Sequence, residues 1–227
     1  MGYRSLNFLP MASPFFLGLV FLIALVVASI EIGILTYAYE KVGVDRRYIL
    51  ALLLFSLLGS YINIPVAELP AAWVVSGQEV TFFGMRYVIP LVEASPRTVV
   101  AVNLGGAIVP VLLSLYLLAK NGMYGRGLVG VTMVTAVVHW LAQPVKGVGI
   151  AVPVFIPPLA AAATGLLLSH RSAPALAYIS GSLGTLIGAD LLNLGKIQEL
   201  AAPIVSIGGA GRFDGIFLTG ILAVLLA

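Results

Sequence analysis

The fold is decided first by the stretch Pro14-Phe-Phe-Leu-Gly-Leu-Val-Phe-Leu-Ile-Ala-Leu-Val-Val-Ala-Ser-Ile-Glu-Ile-Gly-Ile-Leu-Thr-Tyr-Ala38, in which Glu31 is the single charged residue. About 20 apolar residues in a helix cross the roughly 30 Å hydrocarbon core of a bilayer. The stretch is also longer than the apolar core of a cleaved signal peptide, which has about 7 to 15 residues. We therefore predict a transmembrane helix at 14–38.

The composition extends this prediction to the whole chain. Of its 227 residues, 60% are hydrophobic and 9% are charged, whereas a soluble domain is about 45–50% apolar and about 25% charged. A soluble enzyme and a disordered scaffold are therefore excluded, and a net charge of +3 is too small for a nucleic-acid partner. The chain has no cysteine, which excludes disulfides and thiolate metal sites. We expect no cofactor.

Seven apolar runs and one long connection organise the chain. They predict an all-α fold, a polytopic helical membrane bundle of about seven transmembrane helices that forms a single domain over 1–227. The runs are 14–38, 48–67, 98–119, 127–144, 153–169, 173–194 and 204–227. Within the connection 68–97, the segment Trp73–Ile89 is rich in β-branched and aromatic residues with glycine breaks, which predicts a small extramembrane β-hairpin.

The basic residues suggest an orientation for this bundle. The short connections 39–47, 120–126 and 170–172 together carry six basic residues in 19 positions. The connections on the other face carry six basic residues diluted over a much longer stretch of chain. Because short basic loops stay in the cytoplasm, we expect a cell-membrane protein with its N-terminus outside and its C-terminus inside.

Polar residues gather at the span ends that share one face. Since a polar group that faces lipid is costly, we predict that these residues line a common cavity. They are Asn63, Asn103, His139, Gln143, Asp190, Asn193 and Asp214.

Asp190 and Asp214 are the candidate catalytic residues. They lie in Thr185-Leu-Ile-Gly-Ala-Asp-Leu-Leu-Asn193 and Gly208-Gly-Ala-Gly-Arg-Phe-Asp-Gly-Ile-Phe217, only 24 positions apart. Two close carboxyl groups share a proton and supply one acid and one base. The alternative is that both carboxylates are solvated at the membrane interface, with Asp214 paired to Arg212 or Lys196.

His139 and the glycine and proline interruptions of the apolar runs each have more than one possible role. An imidazole at this position could relay protons or bind a metal with the two aspartates, or it could be a hydrogen-bonded interface residue beside Trp140. Glycines and prolines interrupt the apolar runs at Asn63-Ile-Pro65, Val102–Pro110 and Gly147–Pro158. Such interruptions form the ion and substrate sites of many transporters, although they also simply end spans.

These motifs together resemble a family of archaeal and bacterial membrane proteins, the domain-of-unknown-function family sixteen-fourteen. The resemblance rests on Asn63-Ile-Pro, Asn103-Leu-Gly-Gly, the run from His139 to Pro158, Gly188-Ala-Asp and Gly211-Arg-Phe-Asp-Gly-Ile-Phe217. It implies a polytopic bundle and no chemistry. A more distant likeness is to the intramembrane aspartyl proteases of the presenilin and prepilin-peptidase group, which place one Asp in a span and a second in Gly-x-Gly-Asp at the start of the next.

Three functions follow as hypotheses. The chain is an intramembrane aspartyl-type hydrolase, or a proton- or cation-coupled transporter of small solutes, or a non-catalytic subunit of a membrane complex. The partners we expect are membrane lipid and either a transmembrane peptide or a small solute, in a homo-oligomer or a larger complex.

Overall fold

The computed structural model describes residues 13–70, 79–82, 85–88, 97–145, 149–200, 202, 204–209 and 215–227. In these residues the chain forms seven α-helices and seven short strands. The helices are α1 (Ser13–Val42), α2 (Arg46–Gly59), α3 (Val109–Asn121), α4 (Tyr124–Leu141), α5 (Ile156–Leu168), α6 (Ala173–Thr185) and α7 (Gly215–Leu226). The strands are β1 (Asn63–Pro70), β2 (Glu79–Phe82), β3 (Met85–Val88), β4 (Arg97–Asn103), β5 (Gln143–Val145), β6 (Gly149–Ala151) and β7 (Ile204–Ile207).

Helix α6 lies at the centre of the helices, and α3, α4, α5 and α7 pack around it. Small residues allow this close packing: a Cβ on Gly184 would come within 2.7 Å of Val134 Cβ, and one on Gly181 within 3.1 Å of Ala161 Cβ. Helix α1 is peripheral, and its residues from Leu17 to Ile34 are exposed. Exposed apolar side chains of this kind suit a lipid environment rather than water.

In the part of the chain that the structure describes, three helical segments are long and apolar enough to cross a membrane: Leu17–Val42, Leu104–Asn121 and His170–Ile197. The helices α5 and α7 are apolar but shorter, and the 14 residues of α2 make about 21 Å of helix. The fold is therefore helical with membrane-length segments. Seven complete crossings stay a prediction.

A three-stranded sheet corrects the all-α expectation. Its order is β1-β4-β7, with β1 antiparallel and β7 parallel to the central strand β4. The register shifts between Pro65 and Ala67, which suits a proline because edge strands and bulges tolerate the missing N–H. Predicted spans 48–67, 98–119 and 204–227 each combine a helix with one of these strands, since β-branched apolar runs and helices have similar hydropathy.

Two smaller pairs complete the strands. β2 and β3 pair antiparallel within the segment that the sequence predicted as a hairpin. β5 and β6 also pair antiparallel, from Gln143 with Ala151 to Val145 with Gly149. This second pair joins the end of α4 to the start of α5, so it lies at the same end of the helices as the three-stranded sheet.

The two ends of the helices differ in character. We call the end with β1, β4, β5, β6 and β7 the sheet end. The opposite end is the basic end, defined by its six cations, which are Lys41, Arg46, Arg47, Lys120, Arg126 and Arg171. Two lysines connect separate segments at the basic end. Lys120 Nζ donates to Gly43 O (2.6 Å), and Lys41 Nζ donates to Val224 O (3.1 Å).

Candidate functional site

A cavity of about 290 Å³ opens at the sheet end, between β7 and the segment that continues α6. That segment changes from an α-helix to a π-helical turn at Leu186–Asp190 and then to a 3₁₀ helix at Leu191–Leu200. Departures of this kind from the α-helix are frequent at functional sites. The polar side chains that line the cavity are Asp190, Asn193 and Ser206.

Asp190 is held by the turn that follows β7. Its Oδ2 accepts a hydrogen bond of 2.8 Å from the backbone N–H of Gly208. Gly208 and Gly209 have φ angles of +84° and +81°, a conformation that only glycine adopts readily. The turn is closed by Gly209 N, which donates to Ser206 O at 3.2 Å. The two glycines therefore bring a donor to the carboxylate.

Asn193 is almost fully buried, with 1% of its surface exposed. Its amide group donates to Gly188 O (3.0 Å) and Ala189 O (2.9 Å). These two bonds use both of its N–H donors. Among the described residues, its Oδ1 is buried and has no hydrogen-bond partner. Asn193 thus lines the cavity and holds an unused acceptor in its buried side chain.

His139, which is on α4, lies beside Asn193. Its Nδ1 is 3.3 Å from Gly188 O and 3.4 Å from Asn193 Nδ2. Because the Asn193 donors are already directed at two carbonyl oxygens, a proton on His139 Nδ1 satisfies the contact with Gly188 O. The neutral ring then carries its acceptor at Nε2. Among the described residues, no group of three His, Asp or Glu side chains could hold a metal ion.

A hydrogen-bond network ties the ends of the three strands together. Asn103 Nδ2 donates to Ser60 O (2.7 Å) and to Asn63 Oδ1 (3.0 Å), and its Oδ1 accepts from Gly106 N (2.7 Å). Ser206 Oγ lies 2.6 Å from both Asn63 Oδ1 and Gly209 O, and its single proton can serve one of them at a time. Ser206 connects this network to the cavity.

Close backbone contacts keep the network in register. A Cβ on Gly105 would overlap the Ser56 carbonyl oxygen, and a Cβ on Gly106 would overlap the Gly208 carbonyl oxygen. The sequence Asn103-Leu-Gly-Gly therefore fits between the end of α2 and the turn after β7. It also begins the π-helical turn Leu104–Ile108 that leads into α3.

The predicted site residues fall into three groups. Asp190 and Asn193 line the cavity, while Asn63, Asn103 and His139 reach its lining residues through hydrogen bonds. Gln143 is exposed in β5, opposite Ala151, and is not part of the lining that the described residues form. Asp214 lies outside the described residues, so its distance from Asp190 stays a prediction.

Sequence reasoning missed Ser206 and Gly208 as site residues. A signal was present, because Val205-Ser-Ile-Gly-Gly-Ala210 resembles Val102-Asn-Leu-Gly-Gly-Ala107. The two segments contain the ends of β7 and β4, which run parallel as neighbours. In both segments a polar residue is the last or next-to-last residue of the strand, and glycines follow it two and three positions later.

The fold and the cavity define a helical protein with membrane-length apolar segments and a polar cavity at one end of its helices. Residues 57–226 match the family model described as "Protein of unknown function (DUF1614)". The chain belongs to this family, and the match covers every candidate site residue but leaves out α1. No curated protein and no solved structure matches the chain.

Proposed function

We propose that the protein is an intramembrane aspartyl-type hydrolase that cleaves an extended peptide segment at the sheet end. One observation carries this proposal: the cavity that contains Asp190 is lined by all four residues of β7. In the described residues β7 is an edge strand of its sheet. An acidic side chain and a strand with one unpaired edge therefore share a single space.

An edge strand supports the binding of a peptide substrate. Its unpaired backbone N–H and C=O groups are a template for another strand, and strand addition is a common way to bind an extended peptide. A transmembrane helix must unwind before its peptide bonds become accessible to water. Pairing with β7 would replace the helical hydrogen bonds that such a substrate loses.

The second carboxylate of the proposal is Asp214. Ile216, two residues after it, belongs to the same buried cluster as Leu186, which lies four residues before Asp190. The proposal requires that Asp214, which lies outside the described residues, comes close to Asp190. In the reaction, one carboxylate takes a proton from water as the water oxygen bonds to the peptide carbonyl carbon. The other carboxyl group gives a proton to the leaving nitrogen as the C–N bond breaks.

A cleavage assay tests the hydrolase. The purified protein is incubated in detergent micelles with a set of transmembrane reporter peptides, and mass spectrometry identifies the products. We expect cleavage by the native protein, none by Asp190→Asn or Asp214→Asn, and full cleavage by Asp45→Asn. Asp45 is a matched control because its carboxylate is exposed at the basic end, where it pairs with Arg47 at 3.1 Å. Cleavage that persists in both site variants would rule the hydrolase out.

A second candidate is a cation-coupled transporter, which the buried Oδ1 of Asn193 favours. Asp190 and Asn193 both line the cavity, and their carboxylate and amide oxygens are of the ligand type that hard cations prefer. The transporter predicts that Na⁺ raises the unfolding temperature relative to choline, and that Asn193→Leu and Asp190→Asn both remove this shift. Equal unfolding temperatures in the two salts would count against it.

A further inference from the structure

An apolar cleft separates α2 from the helix that begins at Leu104. It has a volume of about 540 Å³, within the range of about 300–1,000 Å³ that is typical of small-molecule sites. Its walls are almost entirely aliphatic and aromatic, and its polar members lie together at the basic end. The lining on the α2 side includes Asp45, Tyr48, Leu52 and Phe55, and the lining on the α3 side includes Ile108, Leu112 and Tyr116.

The length of the cleft limits what can fill it. From Asp45 to Phe55 it follows α2 for ten residues, about 15 Å at 1.5 Å per residue. This is half of the roughly 30 Å hydrocarbon core, the depth of one leaflet. A partner transmembrane helix would need a groove along the full thickness. A single acyl chain needs one leaflet.

Two cations lie over two tyrosines at the end of the cleft that is nearest the basic end. We call this end of the cleft its mouth. The Arg47 guanidinium lies 4.7 Å from the centre of the Tyr48 ring, and Lys120 Nζ lies 5.5 Å from the centre of the Tyr116 ring. Both tyrosines are about half exposed, at 55% and 49%. Tyrosine is enriched at the headgroup level of membranes, so the mouth has the chemistry of the membrane interface.

The remaining charges at this end leave it positive. Arg47 pairs with Asp45 and Arg46 pairs with Glu40. The basic end has six cations, as defined above, against these two carboxylates. An arginine in a single ion pair retains further N–H donors, and a lysine that donates once has two left. The mouth therefore favours an anionic group.

We propose that this cleft binds an anionic phospholipid, with one acyl chain between α2 and α3 and its phosphate at Arg47 and Lys120. The site is separate from the cavity of Asp190, so it stands whether or not the hydrolase is correct. The apolar walls give affinity for the acyl chain, and the two cations give preference for an anionic headgroup.

Native mass spectrometry of the full chain in detergent tests this proposal. Phosphatidylglycerol and phosphatidylcholine with identical acyl chains are added separately, and the bound fractions are compared. We expect phosphatidylglycerol to bind preferentially. Arg47→Gln and Lys120→Gln should each reduce this preference about fivefold, the effect of one basic residue near anionic lipid. Arg126→Gln, an exposed cation of the basic end outside the cleft, should leave it unchanged.

A second pair of variants tests the acyl-chain part. Leu112→Trp fills the cleft and should abolish binding of both lipids, while Leu115→Trp is a matched control because Leu115 is exposed on the same helix and does not line the cleft. Equal binding of the two lipids, an equal effect of Arg126→Gln, or unchanged binding in Leu112→Trp would overturn the proposal. Binding of inorganic phosphate at Arg47 and Lys120 with no lipid bound would overturn it too, because the cleft would then have no role.

Discussion

Asp190 Oδ2 accepts a 2.8 Å hydrogen bond from the backbone N–H of Gly208. The bond joins the end of the central helix to the turn after β7, across 18 residues of sequence. A carboxylate in a membrane-length helix is costly unless it has a partner. Here the partner is a backbone donor, and its position depends on the left-handed conformation of a glycine.

We expect Gly208→Ala to destabilise the protein strongly. The φ of +84° disfavours a side chain, and the added Cβ would lie 2.6 Å from Ala107 Cβ. Left-handed backbone costs about 1–2 kcal/mol for a non-glycine residue, and overpacking adds about 1–3 kcal/mol. Thermal unfolding in detergent measures the loss. Gly215→Ala is the control, since among the described residues nothing lies within 4 Å of its Cβ. Similar unfolding temperatures for both variants would show that Gly208 does not need a left-handed backbone or a free Cβ position.

Gly106→Ala should be equally damaging for a different reason. Gly106 has no left-handed backbone, but its Cβ would overlap the Gly208 carbonyl oxygen. The sheet end must then open, and we expect a loss of at least about 1–3 kcal/mol. The helix α4 provides a control in Gly125→Ala, because no atom of the described ranges lies within 4 Å of that Cβ. Alanine also favours a helix more than glycine, so this control should unfold at or above the native temperature.

The apolar runs predicted the helices well where a run is almost entirely helix. The prediction of 14–38 compares with α1 at Ser13–Val42, 127–144 with α4 at Tyr124–Leu141, and 153–169 with α5 at Ile156–Leu168. Hydropathy marks such segments because every residue that faces lipid or the helical core must be apolar.

The strands could not be predicted in the same way. Val99–Val102 of β4 pair with Ile204–Ile207 of β7, more than 100 positions along the chain. An apolar run followed directly by a helix does not reveal this distant partner, and periodicity cannot distinguish a short buried strand from a piece of helix. For this reason the predicted spans 48–67, 98–119 and 204–227 wrongly assigned the strand residues of β1, β4 and β7 to helices.

The candidate site was partly predictable for a related reason. Asp190, Asn193, Asn63 and Asn103 are conspicuous because polar residues are rare in apolar runs. A serine such as Ser206 is common in apolar segments and does not by itself indicate a site. The donor of Gly208 is a backbone N–H, which residue type does not predict. Both enter the site through the pairing of β7 with β4, which only the fold reveals.

Asn103→Leu should weaken the sheet end. Its side chain makes three hydrogen bonds, and 1% of the residue is exposed. Each bond contributes about 0.5–1.5 kcal/mol, and groups left buried without partners cost more. We expect a loss of about 2–4 kcal/mol in unfolding experiments. Asn121→Leu removes one bond to Leu117 O in an exposed residue and should cost less than about 1 kcal/mol. A larger loss of unfolding free energy in Asn121→Leu than in Asn103→Leu would contradict the hydrogen-bond network of Asn103.

The orientation of the protein can be measured with single cysteines, since the native chain has none. Gly125 and Gly195 are suitable positions because both are exposed and a Cβ on either meets no described atom within 4 Å. Gly125 lies next to Arg126 at the basic end, and Gly195 lies in the 3₁₀ helix at the sheet end. Because short basic connections stay in the cytoplasm, a membrane-impermeant maleimide added to intact cells should label Gly195→Cys and leave Gly125→Cys unlabelled until the cells are lysed. The reverse pattern would put the Asp190 cavity on the cytoplasmic side, and a substrate segment would then have to reach β7 from inside the cell.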